Sequence, residues 1–420
     1  MISGTTPIEP TRAEGWQFNC RVCDSETFCV IDLGNHPFAN ALLNTPESNV
    51  KRYPLALHVC SSCATAQLSY CANDHELYDD YLYITPRSDS LTAHYAEVAA
   101  LLAGRGDLNA DTRVAEIGSN IGRLLEFLKP QVASILGIDP AANVAKMANE
   151  AGIPTVNAFF NRESAIAIRE REGRKDLMLA RHCFAHNEKP WLMLEGVQEL
   201  LAANGTLLIE NAYFLDTVAR GEFDQIYHEH MYYHTLRSIS AIVERQGMKL
   251  VDAYHSDIHG GTMVYIIRFA DAAGQTSSRL QALLAEESEM HLAAFYQPFT
   301  RQIQQNKADL NALLDGLQAQ GMRIHAYGAS AKSTTLLNYY GLDAHRIPCV
   351  VDSTPAKQGK YIPLVNCRVI SEEAALADPA DYYLLTIWNY KDEVIRKVRR
   401  QGNHHSRFIL PHPQVLIADE

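Results

Sequence analysis

Between Arg113 and Ala270 the chain alternates between apolar, strand-like segments and amphipathic, helix-like segments, and this alternation restricts the possible folds most. The strand-like segments are RVAEIG, SILGIDP, TVNAFF, DLMLARH, GTLLIENAYF, MKLVDAYH and TMVYIIRFA. Strands that alternate with helices predict a parallel sheet with helices on both faces. The last strand follows its neighbour after a short loop, so we expect it to be antiparallel. The pattern therefore predicts a doubly wound, Rossmann-like α/β domain of seven strands.

A second alternating unit follows a charged helical stretch at about residues 281–320. Its strand-like segments are MRIHAYG, IPCVVD, DYYLLTIW and RFILPHP. This unit predicts a second Rossmann-like α/β domain at the C-terminus. Together with a cysteine-containing segment near the N-terminus, the pattern predicts three domains, at residues 15–75, 76–280 and 281–420.

Four of the nine cysteines form two CxxC pairs. Zn²⁺ prefers four thiolate or imidazole ligands in a tetrahedron, and a two-residue spacing lets both sulfur atoms of one turn reach the same ion. Two such pairs complete the ligand shell, so we expect a small N-terminal module with a structural zinc ion. The predicted ligands are Cys20, Cys23, Cys60 and Cys63. The alternatives are four buried thiols or a redox-active pair, and no βαβ context supports the redox pair.

The net charge of -12 gives no general electrostatic reason to bind nucleic acid or an anionic membrane. The sequence has no long uncharged apolar run that could span a bilayer, and its first residues lack the pattern of a secretory signal. We therefore expect a cytoplasmic protein without a nucleic-acid or membrane partner. The oligomeric state is left open, and a monomer is compatible with the sequence.

The segment EIGSNIG, at residues 116–122, lies at a predicted strand-to-helix turn, and Asp139 ends the next predicted strand. Glycines let the backbone approach a ligand, helix N-termini offer free N–H groups, and a carboxylate at Asp139 can accept both hydroxyls of a ribose. The middle glycine of a dinucleotide fingerprint is missing, and an acid two positions before the first glycine suits a methyltransferase loop. The candidate cofactor contacts are Glu116, Gly118, Ser119, Asn120, Gly122 and Asp139. The alternative is a glycine turn needed only for packing, with Asp139 as a helix cap.

The run YHEH follows the strand that ends in NAYF. Loops at the carboxyl ends of parallel strands line the ligand crevice of such folds. A phenol, a carboxylate and imidazoles are the groups that acid–base catalysis near neutral pH needs, so Tyr227, Glu229 and His230 are candidate catalytic residues. The spacing excludes the HExxH metalloprotease motif, whereas a mononuclear metal site and a structural polar cluster remain open.

Other candidates lie outside these motifs. His186 follows the fourth predicted strand and is either catalytic or a packing residue, and Tyr81 and Tyr83 either cover the pocket or pack against it. Ser330 and Lys332 lie in YGASAK, again at a strand-to-helix turn, where a hydroxyl and a lysine can form a phosphate site. The alternative for Lys332 is an ordinary exposed lysine.

Taken together, these segments resemble the family of S-adenosylmethionine-dependent sugar C-methyltransferases, which make branched deoxysugars for antibiotics and surface polysaccharides. The resemblance extends from Cys20 to about Arg399. It rests on the two CxxC pairs and on EIGSNIG, ANVAK, FDQIYHEH, IHGGT, YGASAKSTTLLNYYG, VVDSTPAKQGKYIP and WNYKDE. The most specific part is the combination of YHEH with the GASAK segment.

The resemblance implies S-adenosylmethionine as cofactor, a structural zinc ion, and a nucleotide-linked keto sugar held partly by the C-terminal domain. The residues that it places around the reacting sugar are Tyr81, His186, Tyr227, Glu229 and His230. It also favours the phosphate role of Ser330 and Lys332, and Tyr83 is a further candidate for contact with the substrate because of its position. Within that set, His230 matches the proton abstractor and Tyr227 the residue beside the keto oxygen. The sequence departs from the family pattern in two places. In the cofactor loop, Ile121 stands where the family has an acid. After YHEH, the bulky MYYHT segment, with Tyr232, Tyr233 and His234, is expected to reshape the substrate pocket.

We therefore expect an enzyme that removes a proton next to the ketone of a nucleotide-linked 4-keto sugar and methylates the resulting enolate. His230 is the expected base, Tyr227 the hydrogen-bond donor to the enolate oxygen, and Glu229 the group that orients an imidazole. The alternatives are a small-molecule O- or N-methyltransferase, a C-methyltransferase of a non-sugar ketone, and a nucleotide-sugar oxidoreductase or binding protein. A fourth is a zinc-module interaction protein with an inactive enzyme core.

Overall fold

The structure is a computed structural model that describes residues 18–47, 49–72, 84–85 and 87–418. The strands of these residues form three sheets, of four, seven and six strands. The predicted fold class is confirmed: a small N-terminal module with a cysteine cluster, a central Rossmann-like domain of seven strands and a C-terminal Rossmann-like domain. The domain boundaries expected from the sequence stay a prediction.

The N-terminal sheet has the strand order β1-β2-β3-β9, and all its pairings are antiparallel. Its strands are β1 (Thr27–His36), β2 (Tyr53–Cys60), β3 (Ala66–Leu68) and β9 (Tyr232–Tyr233). The last strand comes from the MYYHT segment, and Tyr232 and Tyr233 are buried. Their backbones extend the N-terminal sheet, and the ring of Tyr233 lies edge-on to that of His230, with ring centroids 6.1 Å apart. The expected effect of these tyrosines on the shape of the substrate pocket stays a prediction.

The central sheet has the order β10-β11-β8-β7-β4-β5-β6. Its strands are β4 (Arg113–Ile117), β5 (Ser134–Asp139), β6 (Thr155–Asn157), β7 (Lys175–Arg181), β8 (Leu201–Ala212), β10 (Met248–Ser256) and β11 (Thr262–Phe269). The strands β4 to β8 are parallel to one another, and β11 is antiparallel to both β8 and β10, as predicted. The apolar residues of β7 pack into layers on both faces of the sheet, because Leu177 and Leu179 join one buried cluster and Met178 and Ala180 another.

The C-terminal sheet has the order β14-β13-β12-β15-β16-β17, and only β17 is antiparallel to its neighbour. Its strands are β12 (Ile324–Tyr327), β13 (Cys349–Val351), β14 (Arg368–Ile370), β15 (Tyr382–Leu385), β16 (Arg407–Leu410) and β17 (Leu416–Ala418). Four of these strands were predicted from the sequence. The strands β14 and β17, each three residues long, were not predicted.

Helices cover both Rossmann-like sheets. The first seven are α1 (Asp89–Gly104), α2 (Arg123–Leu128), α3 (Ala142–Glu150), α4 (Arg162–Glu172), α5 (Pro190–Leu200), α6 (Phe214–Ala219) and α7 (Leu236–Glu244). The others are α8 (Ser278–Glu286), α9 (Gln297–Ala319), α10 (Ala331–Tyr340), α11 (Glu372–Ala377) and α12 (Lys391–Arg400). Within the described ranges, no helix has the length and apolar character needed to cross a membrane. The cytoplasmic location stays a prediction.

The N-terminal module shares a hydrophobic core with the C-terminal domain. Leu57 of β2, Leu310 of α9 and Ile324 of β12 belong to one buried cluster. The hydroxyl of Thr300 on α9 also donates a hydrogen bond to the carbonyl oxygen of Val30 on β1 (3.1 Å). The charged stretch predicted between the two Rossmann-like domains therefore contains an amphipathic helix whose apolar side packs the zinc module against the C-terminal sheet.

Candidate active site and zinc centre

The four paired cysteines lie close together at one end of the N-terminal sheet. They are Cys20 and Cys23 in the turn before β1, Cys60 at the end of β2 and Cys63 in the turn before β3. In each turn a backbone N–H group donates a hydrogen bond to the carbonyl oxygen of the first cysteine. Asp24 donates to the carbonyl oxygen of Cys20 (2.8 Å), and Ala64 donates to that of Cys60 (3.1 Å). Each CxxC pair therefore forms one tight turn with both side chains on the same side.

The spacing of the four sulfur atoms fits one zinc ion. All four lie within 4.8 Å of one another, and the sulfur of Cys23 is 3.4 Å from that of Cys60 and 3.5 Å from that of Cys63. Sulfur atoms at tetrahedral positions about 2.3 Å from zinc are about 3.8 Å apart. Four protein ligands complete such a shell, so the ion is structural and has no position for a substrate.

The glycine loop after β4 runs close to the carboxyl edge of the central sheet. Its backbone is left-handed at Gly118 (φ 65°), Asn120 (φ 50°) and Gly122 (φ 73°). A Cβ atom at Gly118 would lie 2.8 Å from the Cβ atom of Cys183, so a larger residue does not fit there. The hydroxyl of Ser119 is buried against β5. The loop therefore offers a ligand mainly its backbone, as a cofactor cradle requires.

Asp139, at the end of β5, holds this loop in place. One carboxylate oxygen accepts a hydrogen bond from the backbone N–H of Asn120 and the other from that of Ala141, both at 2.9 Å. Burial raises the pKa of Asp139, and the two N–H donors lower it. The carboxylate therefore both fixes the loop and caps the start of α3, and its expected contact with a ribose stays a prediction.

A buried charged network beside the glycine loop was not found from the sequence. Glu210 on β8 is fully buried and accepts hydrogen bonds from Arg181 (2.8 Å), His94 (2.9 Å) and His182 (3.2 Å). Arg181 also lies 3.6 Å from the carboxylate of Glu116. Burial alone would raise the pKa of Glu210, but Arg181 and the two histidines hold it well below its usual value.

Glu116 joins this network to the loop. Burial raises its pKa to about 7, and the charge of Arg181 opposes this shift. Its Oε2 atom is buried without a hydrogen-bond partner among the described residues, so it is free to accept a hydrogen bond, and its expected contact with the cofactor stays a prediction. Charged residues inside or at the end of two apolar strands are the sequence signal that could have revealed this network. A buried charge requires a partner, so such residues indicate a buried ion pair.

Tyr227 and His230 form a hydrogen-bonded pair in the predicted catalytic segment. The Nδ1 atom of His230 lies 3.0 Å from the carbonyl oxygen of Gln225, and a carbonyl can only accept, so Nδ1 carries the proton. The Nε2 atom is then the acceptor for the hydroxyl of Tyr227, at 2.8 Å. The imidazole is therefore the neutral tautomer whose free electron pair lies beside a phenol.

His186 stacks on this pair. The ring centroids of His186 and His230 are 5.2 Å apart, with 29° between the ring planes. Burial lowers the pKa of His230 well below 6.5, and the fields of His186 and Lys332 lower it further. Burial also lowers the pKa of His186 to about 4. The structure thus brings together three predicted catalytic residues, and both imidazoles are uncharged at neutral pH.

Glu229 has a different position from the one expected. Its Oε1 atom accepts a hydrogen bond from the side-chain amide of Asn40 in the N-terminal module (2.5 Å). Burial raises its pKa to about 7. The group that orients the imidazole of His230 is the backbone carbonyl of Gln225, so the expectation that Glu229 orients an imidazole is wrong. The turn directs the side chain of Glu229 towards the zinc module instead.

The remaining candidates lie at α10 and before α1. The backbone N–H of Ser330 donates to the hydroxyl of Ser333 (3.0 Å). The ammonium group of Lys332 is buried without a hydrogen-bond partner among the described residues and lies 5.3 Å from the ring centroid of Trp388. Lys332 is therefore not an ordinary exposed lysine. Tyr81 and Tyr83 lie outside the described residues.

Known proteins match the chain over most of its length. Three family models match in order: a zinc binding domain at residues 20–78, a methyltransferase domain at 91–253 and a C-methyltransferase C-terminal domain at 257–413. The C-methyltransferase NovU of Streptomyces niveus is 32% identical over 407 residues, which cover 95% of this chain and 97% of NovU. The chain belongs to the S-adenosylmethionine-dependent C-methyltransferase family.

This C-methyltransferase uses S-adenosylmethionine and carries zinc in its N-terminal module. The family resemblance found in the sequence is confirmed, and C-methylation displaces the O- or N-methyltransferase alternative. The chain is also similar to N-methyltransferase NodS from Bradyrhizobium japonicum WM9 (14% identity, 43% of this chain and 96% of that chain, TM-score 0.33). Magnesium protoporphyrin IX methyltransferase from Synechocystis PCC 6803 is similar too (13% identity, 44% and 87%, TM-score 0.32).

The glycine loop of this C-methyltransferase allows a matched test. We expect Gly118→Ala to raise the Kd for S-adenosylhomocysteine by about tenfold or more, because the new Cβ atom would push the loop away from Cys183. Gly152→Ala is the control: its φ is also positive, at 78°, but no atom lies within 4 Å of the new Cβ. Isothermal titration should show near-normal binding for the control. Equal losses in both variants would contradict the packing argument.

Proposed function

We propose that the enzyme methylates the carbon next to the ketone of a nucleotide-linked 4-keto sugar, by way of an enolate. In this proposal His230 removes the proton and Tyr227 hydrogen-bonds the ketone oxygen. The observation that supports it most is the 2.8 Å hydrogen bond between them, with the base electron pair and the phenol side by side. These are the two groups that enolisation requires.

The proton transfer follows from the position of each group. The hydroxyl of Tyr227 turns from His230 to the ketone oxygen, which frees Nε2. Nε2 then takes the proton from the neighbouring carbon, and the electron pair of the C–H bond moves into the enolate. The oxygen that gains charge accepts the hydrogen bond of Tyr227. The Nδ1–H group stays on the carbonyl of Gln225, and His186 holds the ring from its other face.

The methyl transfer needs little more from the protein. S-adenosylmethionine supplies the methyl group when it is bound. The enolate carbon would take that methyl group, the bond between the methyl carbon and sulfur would break with its electrons passing to sulfur, and the ketone would be restored, with S-adenosylhomocysteine as the second product. The burial that lowers the pKa of His230 makes its charged form unstable, so the proton leaves to solvent when the site opens.

The substrate class rests on the resemblance and on the C-terminal sheet. Gly328 (φ 102°) follows β12, and Asp352 after β13 accepts a hydrogen bond from the N–H of Ala329 (2.8 Å). This repeats the arrangement in which Asp139 holds the central glycine loop. Such turns at a strand-order switch point bind nucleotides. We therefore assign the nucleotide part to the C-terminal domain, with Ser330 near it, and the keto sugar to the side of His230.

The pH dependence of kcat/KM reports on the base. His230 acts in its neutral form, and its pKa lies well below 6.5, so lowering the pH to 6.5 removes none of the base. We expect the acid limb that belongs to His230 well below pH 6.5. An inflection near pH 7 that disappears in Glu229→Gln would belong to Glu229, whose pKa is about 7. An inflection at 6.5 or above that remains in Glu229→Gln would contradict the buried neutral base.

The product tests the proposed function. The zinc-loaded enzyme is incubated with a nucleotide-linked 4-keto-6-deoxy sugar and S-adenosylmethionine labelled with ¹³C in its methyl group. We expect the labelled carbon of the product to appear at the ¹³C chemical shift of a methyl group bonded to carbon. A methoxy or N-methyl signal would contradict the proposal. If the methyl group is transferred only to ketones without a sugar, the proposed substrate class is wrong and the proposed enolate chemistry stands.

A further inference from the structure

Four residues next to the active site have buried polar atoms without hydrogen-bond partners among the described residues. These atoms are Oε1 of Glu222, Oδ1 of Asp224, Nζ of Lys332 and both ring nitrogens of His412. Glu222 and Asp224 are 0% exposed, and His412 is 1% exposed. We call these residues the polar cluster. Buried polar groups are nearly always paired, so this number of unpaired atoms in one place indicates that the cluster binds something.

The polar cluster faces the crevice of the C-terminal sheet. Lys332 lies in the first turn of α10 after β12, and His412 follows β16. The indole of Trp388, after β15, lies between them, with ring centroids of Trp388 and His412 5.5 Å apart. Carboxyl ends of parallel strands form the ligand crevice in such folds. Glu222 and Asp224 approach the same crevice from the central domain, just before the catalytic segment.

The cluster also borders His230. The side-chain amide of Gln225 donates to Glu222, and the backbone carbonyl of the same residue holds Nδ1 of His230. The charge of Lys332 is close enough to lower the pKa of His230. A sugar whose reacting carbon lies at His230 would therefore place its neighbouring substituents at the polar cluster.

The charges of the cluster favour a neutral ligand over a diphosphate. The second oxygen of Asp224 accepts a hydrogen bond from Trp388 (2.9 Å), and Arg220 lies 3.9 Å from Glu222. Two carboxyl groups thus face two cations, Lys332 and Arg220. A diphosphate at Lys332 would lie beside the carboxyl group of Asp224, which would repel it when ionised, and beside Glu222, whose pKa burial raises to about 7. A hydroxyl group donates to a carboxylate and accepts from an ammonium group, so it satisfies both kinds of atom.

We infer that the polar cluster binds hydroxyl groups of the sugar ring, so that Lys332 contacts the sugar and not the diphosphate. This inference rests on the proposed nucleotide-sugar substrate and revises the phosphate role expected for Lys332 from the sequence. It adds Glu222, Asp224 and His412 to the substrate site.

Paired ligands separate the sugar from the diphosphate. The zinc-loaded full-length enzyme, with S-adenosylhomocysteine bound, is titrated with UDP-glucose and UDP, dTDP-glucose and dTDP, and GDP-glucose and GDP. For the pair that binds, we expect Lys332→Met and Glu222→Gln to raise the Kd of the nucleotide sugar by about tenfold to a hundredfold. The Kd of the free nucleoside diphosphate should change by less than about twofold. The control is Lys391→Met, an exposed lysine at the start of α12 paired with Asp392.

The other outcomes decide against the inference in different ways. Equal losses for both ligands in Lys332→Met would assign the lysine to the diphosphate. Unchanged affinity for both ligands in both variants would mean that water fills the cluster. Binding of S-adenosylhomocysteine reports that each variant is folded, and Glu222→Gln keeps the shape of the side chain. If no nucleotide sugar binds the wild-type enzyme, the proposed substrate class fails, and this inference fails with it.

Discussion

We expect His230→Asn to lower kcat for C-methylation by about a hundredfold to ten-thousandfold, the range that a general base contributes. Asparagine keeps much of the shape and can still donate to the carbonyl of Gln225, but it has no basic nitrogen to take the proton. Tyr227→Phe removes a hydrogen bond to the enolate oxygen and should cost less, about tenfold to a thousandfold. Both variants should bind S-adenosylmethionine normally, because neither residue lies in the glycine loop. Single-turnover rates measure the losses.

Two comparisons make this result specific. His345→Asn changes an exposed histidine and should leave the rate unchanged. His186→Asn leaves Nε2 of His230 in place, so its loss should be smaller than that of His230→Asn. Near-normal C-methylation by His230→Asn would move the base to His186 or Glu229. A loss in His186→Asn as large as that in His230→Asn would mean that the two imidazoles act as one unit.

The second large effect concerns the zinc ion. We expect Cys60→Ser to remove most of the zinc, of which the wild-type protein should contain about one per chain. Binding of structural zinc contributes on the order of 10 kcal/mol in small zinc domains. The loss should extend beyond the module, because Val59, which directly precedes Cys60, belongs to the same core as α9 and the C-terminal sheet. Cys60→Ser should therefore lower the melting temperature and the solubility of the protein before it affects the methylation reaction.

Metal analysis and thermal unfolding test this prediction. The control is Cys29→Ser, since Cys29 is exposed on β1 and lies outside the sulfur cluster. It should keep its zinc and its melting temperature. Freshly purified wild-type protein without zinc, prepared without chelators, would contradict the assignment. A zinc-free Cys60→Ser variant with an unchanged melting temperature would show that the ion does not stabilise the shared core.

Strong local signals in the sequence were enough to predict the sheets and the zinc ligands. Six of the seven central strands are five to twelve residues long and rich in apolar residues, and glycine turns separate several of them from their helices, so periodicity identifies them. The CxxC spacing places two sulfur atoms in each turn without knowledge of the rest of the fold. The same holds for Tyr227 and His230, whose spacing of three residues suits a turn.

Contacts between distant segments could not be predicted in this way. The partner of Glu229 is Asn40, 189 residues away, and the carbonyl that orients His230 belongs to the backbone, which has no sequence signal. The strand of Tyr232 and Tyr233 depends on pairing with β3, far away in the chain. The burial of Lys332 arises only when the C-terminal sheet packs against the segment of Glu222. Each of these features depends on tertiary packing and not on local pattern.

The most direct test of the account follows the hydrogen on the reacting carbon. A nucleotide-linked 4-keto sugar is labelled with deuterium at the carbon next to the ketone, and the product of the wild-type enzyme is analysed by mass spectrometry. If His230 removes that hydrogen before the methyl group arrives, each product molecule gains one methyl group and loses one deuterium. Methylated product that keeps all its deuterium would contradict the account, because the methyl group would then have replaced a hydrogen elsewhere.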